Sequence, residues 1–297
     1  MLISVCVCTY KRASVVDTLI SIAAQILPPG WRTEIVVVDN DEAGSAEQPV
    51  REWCARNIVP VRYAIQPSRN IAATRNCALE LARGDWLALI DDDERANPTW
   101  LDHLIRTAET HAADVVIGNV IADYPSSAPS WIKRADPLSR DWGATGDQLI
   151  TGSTANAFLR ADLVRRSGIR FDEALGRSGG EDTDFFSRLH VSGARIVACA
   201  EALVVEAIPP GRLQSAYLRS RALRSGQSYG EIRLRSLHGA RRLAFMAAAS
   251  GKAALFLGLA APLAGLARSV AWRLRIRGWL NTGKLRACLG RPIQQIY

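Results

Sequence analysis

The sequence predicts an α/β protein with a mainly parallel central sheet flanked by helices, followed by a basic α-helical region. Short apolar segments alternate with segments of helical apolar spacing through the first hundred residues, which is the pattern of βαβ units. Acidic or hydroxyl side chains follow several of these segments. From Glu206 onward the chain carries 16 Lys and Arg but 2 Asp and Glu, a net of +14; the rest of the 37 basic and 29 acidic residues, 21 and 27, give −6.

The first half of the chain contains four predicted strands joined by helices. Each strand is a mostly apolar run, and Pro28, Pro29 and Gly30 end the first helix. Because strands and helices alternate, we expect right-handed βαβ connections and parallel strands. The predicted strands span 2–8, 34–39, 61–65 and 86–93, and the predicted helices span 14–27, 47–57 and 70–83.

The second half of the first 211 residues is less regular. A helix is predicted over 98–111 and a strand over 114–121. Prolines, serines and tryptophans over 124–147 predict an irregular aromatic loop region, and loops of that length are usually functional. A strand with small polar residues is predicted over 152–160, and one or two strands over 194–205.

The acidic run at the end of the fourth strand is the first candidate site. Asp91, Asp92, Asp93 and Glu94 follow the apolar residues 86–90. Ligands of open α/β sheets bind outside the carboxyl ends of the strands, and alternation along an extended chain would place Asp91 and Asp93 on one face. Two such carboxylates can hold a divalent cation, which in turn can hold a diphosphate. A solvated acidic turn is the structural alternative.

Three further positions carry chemistry together with a structural alternative. Asp182 follows a Gly-Gly turn, where a carboxylate can act as a general base or can simply stabilise a helix N-terminus. Trp131 and Trp142 can stack on sugar rings or pack in the core.

The basic region after residue 212 favours an anionic partner. Arg221 and Arg224 precede a Ser-Gly break and could clamp a diphosphate, or could line a solvated helix face. Residues 243–267 are long enough to span a bilayer, although Ser250, Lys252 and Pro262 disfavour a spanning helix. Trp beside Arg over 268–286 favours a membrane-surface helix over a packed helical hairpin. Apolar helices beside this charge favour lipid over nucleic acid.

Several classes of protein are disfavoured. No G-x-G-x-x-G motif follows the first strand and no Walker A motif occurs, which argues against the dinucleotide-binding and P-loop folds. The six cysteines form no C-x-x-C pair, and the N-terminus lacks a basic segment and a cleavage site. We therefore expect reduced thiols and a cytosolic location without a secretory signal.

Together these motifs resemble the family 2 glycosyltransferases, which have the nucleotide-diphospho-sugar transferase (GT-A) fold. The resemblance covers residues 2 to about 206, and over the whole chain it extends to the glucosyltransferases of succinoglycan and exopolysaccharide biosynthesis. The Gln-x-x-Arg-Trp motif of processive synthases is absent from the tail. The matching motifs, in order, are Val5–Arg12, Val36–Asn40, Arg69–Asn76, Ile90–Asp93 and Gly180–Asp182.

The resemblance implies an inverting, metal-dependent, non-processive transfer of glucose from a UDP-sugar to a lipid-linked (polyprenyl-diphosphate) oligosaccharide. Asp182 is the implied base, and Mn²⁺ or Mg²⁺ the cofactor, held by Asp93 and by Glu206, near which many members have a histidine. The acceptor-binding residues would be Glu181, Trp131, Trp142, Thr154 and Asn156. The nucleotide-sugar would be bound by Thr9, Tyr10, Arg12, Asp39, Arg75, Asp91 and Asp92, with Arg221 and Arg224 as a diphosphate clamp.

The implied organisation is a GT-A catalytic domain over 1–211 and a membrane-associating region over 212–297. Within the catalytic domain, 1–95 would bind the nucleotide and 96–211 the acceptor. The protein would lie at the cytoplasmic face of the inner membrane, peripheral or shallowly inserted. Two alternatives are a sugar nucleotidyltransferase, for which a Gly-rich N-terminal signature is missing, and a non-catalytic GT-A-like membrane-binding protein, against which the intact acids argue.

Overall fold

The computed structural model describes residues 1–291, so residues 292–297 of the predicted basic region lie outside the described part. The chain divides into two units. The first comprises Met1–Ile121, Arg140–Arg177 and Glu181–Glu206, and the second comprises Ala122–Ser139, Ser178–Gly180 and the chain from Ala207. The second unit thus joins the chain from Ala207 to two earlier segments, and the predicted division into a catalytic domain over 1–211 and a membrane-associating region over 212–297 stays a prediction.

The first unit is built on a mixed sheet. Its described strands follow the order β3-β2-β1-β4-β8-β6-β9-β5, with β7 beside β9. The first four strands in sequence are parallel, whereas β8 pairs antiparallel with β4 and β6, and β9 pairs antiparallel with β5 and β7. The strands are β1 (Leu2–Thr9), β2 (Arg32–Asp39), β3 (Val61–Ile65), β4 (Trp86–Asp91), β5 (Glu94–Ala96), β6 (Val115–Asp123), β7 (Gln148–Leu149), β8 (Asn156–Arg160) and β9 (Ile196–Ala207).

Helices flank the sheet and form most of the second unit. The chain-order bounds are α1 (Val15–Ala23), α2 (Glu47–Cys54), α3 (Ile71–Leu81), α4 (Trp100–Thr110), α5 (Ser130–Ala135), α6 (Ala161–Ser167), α7 (Glu181–Val191), α8 (Ser215–Leu234), α9 (Gly239–Ala260), α10 (Leu263–Leu266) and α11 (Arg268–Cys288). Asn70 begins α3, because its side chain accepts hydrogen bonds from the backbone N–H groups of Ala72 and Ala73.

Alternation along the central strands separates two apolar cores. Ile3, Val5 and Val7 of β1 belong to one core, with α1 and α4, whereas Cys6 belongs to the other, with α3 and α7. A strand that is buried on both faces has a continuous apolar sequence, which is why β1, β2 and β4 are recognisable from the sequence. Because β1 pairs parallel with both β2 and β4, the carboxyl ends of these three strands lie at one edge of the sheet.

Two sequence predictions of local structure are corrected. The extended chain ends at Asp91, and Asp92 and Asp93 form a turn before β5, so the expected alternation of Asp91 and Asp93 on one face does not hold. The region 124–147 was predicted to be irregular but contains α5. A six-residue helix between prolines is too short to give a periodic signal.

The second unit packs α8 against α11 at close range. A Cβ atom on Gly226 would lie 1.8 Å from the carbonyl oxygen of Leu280, and one on Gly283 would lie 2.0 Å from that of Leu223. A separate apolar cluster joins α5 to α11, where the rings of Trp131 and Trp272 stack with centroids 4.8 Å apart.

One helix stands out by its apolar surface. Within residues 1–291, α9 is the one helix long and apolar enough to cross a membrane by length and composition. Only 17% of its apolar stretch is buried, and Leu243, Leu255 and Leu259 are exposed.

Candidate active site

The loops after β1 and β4 meet through Asp92. Its Oδ2 accepts a hydrogen bond from Thr9 Oγ1 at 2.7 Å, and its Oδ1 lies 2.8 Å from Arg12 Nη1. The same Arg12 nitrogen lies 2.6 Å from Asp93 Oδ2. Burial raises the pKa of Asp92 to about 6, although the Arg12 guanidinium lowers it. Tyr10, also predicted to bind the nucleotide-sugar, is exposed beside the Lys11 ammonium.

Arg75 on α3 links the end of β4 to the start of α7. Its Nη2 lies 3.6 Å from Asp91 Oδ1, and its Nη1 donates to Glu181 Oε1. Burial lowers the pKa of Arg75, but the carboxylates of Glu181 and Asp91 raise it, and the net shift is upward. Burial also raises the pKa of Asp91 and Glu181, which Arg75 opposes. The second oxygen of Glu181, Oε2, is buried without a hydrogen-bond partner among the described residues.

A second acidic pair lies on β5 and β9. Glu94 and Glu206 are direct partners across these antiparallel strands, and only 1% and 4% of their surfaces are exposed. Glu94 Oε2 accepts a hydrogen bond from the backbone N–H of Asp91 at 3.0 Å. Burial raises the pKa of Glu94 well above its ordinary value, and the charge of Asp91 adds to this shift.

Arg140 supplies the positive charge for this pair. Its backbone N–H and C=O bond to Val120, and its Nη1 donates to Ser153 Oγ at 2.7 Å. Burial lowers the pKa of Arg140, but carboxylates raise it to a net upward shift. These carboxylates belong to Asp91, Glu94, Glu206 and Asp182.

Asp39, at the end of β2, is fully buried. Its Oδ1 accepts from the backbone N–H of Asp41 at 2.9 Å, and its Oδ2 from the N–H of Ala46 and the hydroxyl of Tyr63, both at 2.8 Å. Burial raises the pKa of Tyr63, and the hydrogen bond to Asp39 adds to the rise. Asp39 therefore organises the loop over 40–46, and its contact with a nucleobase stays a prediction.

Asp182 is the second residue of α7, as the Gly-Gly turn predicts. Gly179 and Gly180 have φ values of 81° and 95°, which few residues other than glycine adopt. Asp182 Oδ1 accepts a hydrogen bond from the backbone N–H of Thr183 at 2.6 Å. The carboxylate is partly exposed and fixed at a helix N-terminus, so it has the accessibility that a base requires.

Two of the predicted acceptor contacts, Asn156 and Trp131, are buried, and their contact with the acceptor stays a prediction. Asn156 is 1% exposed; its Oδ1 accepts from Trp100 Nε1, and its Nδ2 donates to the carbonyl groups of Asn119 and Ala202. Trp131 is 9% exposed and stacks on Trp272 in the second unit, which is the core packing that the sequence left open.

The remaining predicted contacts keep their status. Thr154 lines a small cavity with Arg75, Asp91 and Cys8. Trp142 is partly buried, and its Nε1 has no hydrogen-bond partner within residues 1–291. Arg221 and Arg224 lie on α8 in the second unit. Roles for Thr154, Trp142 and the two arginines remain predictions.

The acidic residues do not form a metal cage. Nowhere in the described chain do three side chains of His, Cys, Asp or Glu come together as a metal-ligand group. Mg²⁺-type cations are often held by one or two carboxylates plus substrate phosphates, and Asp93, whose side chain is 21% exposed, fits that arrangement. Glu206 is buried opposite Glu94, and its role as a metal ligand stays a prediction.

Two charged residues and one hydroxyl of this cluster have no role among the predictions from the sequence. Arg140 had no local signal, because it lies in the region taken as an irregular loop and is one of 37 basic residues. Glu94 was noted as part of the acidic run but was given no role. Tyr63 is one residue of a short strand, and its contact with Asp39 depends on the pairing of β2 and β3.

The mixed sheet and its acidic edge define the nucleotide-diphospho-sugar transferase (GT-A) fold, as predicted. The mannosyltransferase PcManGT of Pyrobaculum calidifontis, in complex with GDP-Man and Mn²⁺, superposes with a TM-score of 0.63 at 19% identity, over 98% of this chain and 88% of that chain. TarS 1–349 of S. aureus, in complex with UDP-GlcNAc, gives 0.57 at 18% identity, over 99% and 93%.

The chain belongs to glycosyl transferase family 2, whose family model matches residues 4–170. It is 38% identical over 294 residues to the succinoglycan biosynthesis protein ExoM of Rhizobium meliloti (strain 1021), covering 99% of this chain and 95% of that protein. It is also 27% identical over 190 residues to the glucosyl-dolichyl phosphate glucuronosyltransferase of Haloferax volcanii, covering 60% and 58%. The prediction of a glycosyltransferase related to exopolysaccharide biosynthesis is thereby confirmed.

Proposed function

We propose that this enzyme is an inverting, non-processive hexosyltransferase that moves a sugar, glucose in our assignment, from a UDP-sugar to a polyprenyl-diphosphate-linked oligosaccharide. One observation carries the proposal. Arg75 joins Asp91, at the end of β4, to Glu181, beside Asp182 on α7. The acidic run expected on the donor side and the acid pair expected on the acceptor side therefore belong to one charged cluster.

On the donor side, each proposed role follows from the position of a side chain. Thr9, Arg12 and Asp92 tie the ends of β1 and β4 together, where ligands of such sheets bind. Asp91 would accept from the ribose hydroxyls, and Asp39 from the uracil. Solved structures of the same fold contain UDP-GlcNAc and GDP-Man, which supports a nucleotide-sugar donor.

The proposed cofactor is Mn²⁺ or Mg²⁺, held by Asp93 together with the diphosphate of the donor. When bound, the cation neutralises the charge that develops on the departing diphosphate. Asp93 is more exposed than Asp92, so it can reach a ligand that arrives with the donor. The structure of the mannosyltransferase PcManGT, which has the same fold and contains GDP-Man and Mn²⁺, supports this assignment.

On the acceptor side, Asp182 is the proposed general base. It takes the proton of the acceptor hydroxyl as that oxygen forms a bond to the anomeric carbon, and the bond from this carbon to the diphosphate oxygen breaks. One displacement on the face opposite the leaving group inverts the anomeric configuration. Glu181 would accept a hydrogen bond from the acceptor through its buried and unpartnered Oε2.

The proposed site of action is the cytoplasmic face of the inner membrane. Exposed leucines on α9 and the arginines of α11 suit an interface with anionic lipid. A relative from Haloferax volcanii is named for a lipid-linked sugar, glucosyl-dolichyl phosphate, which supports a lipid-linked acceptor. We propose no role in nucleic-acid binding.

The donor assignment is tested by incubating the enzyme with a panel of UDP- and GDP-sugars, with Mn²⁺ or with EDTA, and measuring release of the nucleoside diphosphate. We expect release from one UDP-sugar with Mn²⁺ and at least tenfold less with EDTA or in Asp93→Ala. The matched control is Asp162→Asn on α6, an exposed acid paired with Arg166. Failure of the enzyme to bind UDP would overturn the proposal, and equal release in EDTA would remove its metal requirement.

A further inference from the structure

Arg12 makes an ion pair with two adjacent carboxylates through one nitrogen atom. Nη1 lies 2.8 Å from Asp92 Oδ1 and 2.6 Å from Asp93 Oδ2. Asp92 also accepts the hydroxyl hydrogen of Thr9, so it is held independently of Arg12. The side chain of Arg12 is 38% exposed, which leaves the guanidinium room to change partners.

A divalent cation and this guanidinium compete for Asp93. Each brings positive charge to the same carboxylate, so a cation that enters alone meets an Asp93 whose negative charge is already offset in part by Arg12. The diphosphate of a nucleotide changes this balance, because phosphate oxygens offer an arginine several charge-assisted hydrogen bonds. Arg12 can then leave Asp93 without losing an anionic partner.

We propose that Arg12 is a displaceable counter-ion that couples cation binding to donor binding. In the donor-free enzyme Arg12 occupies Asp93; in the donor complex Arg12 bonds the diphosphate and Asp93 is open to the cation. This inference rests on the proposed function, because it takes Asp93 as the metal ligand. Its consequence is that the cation binds with the nucleotide and not before it.

The coupling is reciprocal, since the nucleotide must strengthen cation binding by the same factor as the cation strengthens nucleotide binding. We expect UDP to tighten Mn²⁺ binding to the wild-type enzyme by at least about tenfold. In Arg12→Met, Mn²⁺ alone should bind about tenfold more tightly than to the wild-type protein, because no guanidinium opposes it. UDP should still improve Mn²⁺ binding, because its diphosphate supplies ligands, but by a factor about threefold or more smaller than in the wild-type protein, because the exchange of partners no longer occurs.

The experiment is a titration of the full chain with Mn²⁺, with and without UDP, in which electron paramagnetic resonance measures the free ion. Arg51→Met on α2 is the matched control, because it removes the same charge from an exposed arginine paired with Glu47. It should bind Mn²⁺ as the wild-type protein does. Arg12→Lys keeps a positive charge in the same loop and should preserve part of the coupling.

The outcomes separate this inference from the function on which it rests. If wild type and Arg12→Met bind Mn²⁺ alone equally, or if Arg51→Met tightens binding as much as Arg12→Met, the role of Arg12 is wrong. If no variant binds Mn²⁺ even with UDP while UDP itself binds, the metal assignment fails, and the inference with it. Circular dichroism confirms that each variant is folded.

Discussion

At the scale of single residues, the proposed acceptor chemistry assigns the general base to one carboxylate of α7. Asp182 is fixed by the backbone N–H of Thr183, and an amide side chain could keep that bond while losing basicity. We therefore expect Asp182→Asn to lower kcat by about 10²- to 10⁴-fold, with the KM for the donor changed less than about twofold. Steady-state kinetics measures both, with Asp162→Asn as the control. Turnover of Asp182→Asn within threefold of wild type would show that another group accepts the proton.

A second carboxylate, that of Glu34, is expected to stabilise the fold. It lies near the start of β2, at the end of the sheet away from the candidate site. Glu34, 4% exposed, accepts from Ser4 Oγ at 2.6 Å and from the backbone N–H of Arg83 at 2.8 Å, and pairs with Arg62 at 3.1 Å. Burial raises the pKa of Glu34, but these hydrogen bonds and the Arg62 guanidinium together lower it by more. The net shift of the pKa is therefore downward. Its stabilising effect is thus present at neutral pH and lost as the pH falls through the lowered pKa.

This sign gives a pH-dependent prediction. Glu34→Gln should lower the free energy of unfolding by about 1.5–3 kcal/mol at pH 7, because hydrogen bonds to a charged group are lost. The difference from wild type should narrow below the reference pKa of 4.5, as Glu34 itself becomes protonated. Urea unfolding at pH 7 and at pH 3.5 measures the difference in the free energy of unfolding between Glu34→Gln and the wild-type protein. Glu47→Gln, at an exposed ion pair, should change stability by less than about 0.5 kcal/mol; a pH-independent loss in Glu34→Gln would contradict the charge assignment.

Residues near the ends of strands could be predicted from the sequence, and their distant partners could not. Asp39, Asp91, Asp92 and Asp93 follow apolar runs, and a strand-end rule places them at one edge of the sheet. Arg140 reaches the same edge through a chain segment whose path depends on the whole fold. The acceptor contact of Asn156 stays a prediction, because a small polar residue in a strand has the same local pattern whether it contacts a ligand or bonds buried groups, as Asn156 does to Trp100 and Asn119.

At the scale of elements, the crossing of α8 and α11 depends on the absence of side chains. Gly226→Ala would place a methyl group 1.8 Å from the carbonyl oxygen of Leu280, so the helices must separate. We expect a loss of about 2–3 kcal/mol, which a lower Tm in thermal unfolding would report. Gly251→Ala on α9 is the matched control, because its Cβ meets nothing within 4 Å. That variant should gain about 0.5–1 kcal/mol from helix propensity; equal losses in both would rule out the crossing as the cause.

The elements with strong periodicity or long apolar runs are predicted from the sequence, as is the short strand β3, whereas β5, β7 and α5 are not. Strands β1, β2 and β4 are buried on both faces, so their composition alone marks them. The predicted strand over 86–93 is two residues longer than β4, which ends at Asp91. Three successive aspartates give no signal of where the extended chain ends and the turn begins. Helix α5 has six residues, which is too short for a helical period to be visible in the sequence.

At the scale of the whole molecule, α9 is the element that we expect to contact lipid. Leu255 and Leu259 are 55% and 49% exposed on a helix that is mostly unburied. Replacing both with glutamate removes about 1.5–3 kcal/mol of apolar transfer per leucine and adds repulsion from anionic headgroups. Sedimentation with anionic liposomes should then recover at least tenfold less protein in the pellet.

The control for lipid binding is Ile58→Glu, which changes a fully exposed apolar residue in the first unit. It should bind liposomes as the wild-type protein does. Unchanged binding of the α9 double variant would show that α9 is not the membrane contact. A vesicle series without anionic lipid separates the apolar contribution from the contribution of the basic residues on α11.

The stacking of Trp131 on Trp272 has a consequence for synthesis of the chain. The two rings belong to one apolar cluster, but the ribosome makes Trp272 about 140 residues after Trp131, roughly 7–28 s later at ordinary elongation rates. During that interval Trp131, Ile132 and Leu138 have no α11 to cover them. Nascent chains that stop before α11 should therefore expose an apolar surface that is prone to aggregation. We expect the 1–211 fragment to require a chaperone for soluble expression under conditions in which the full chain does not.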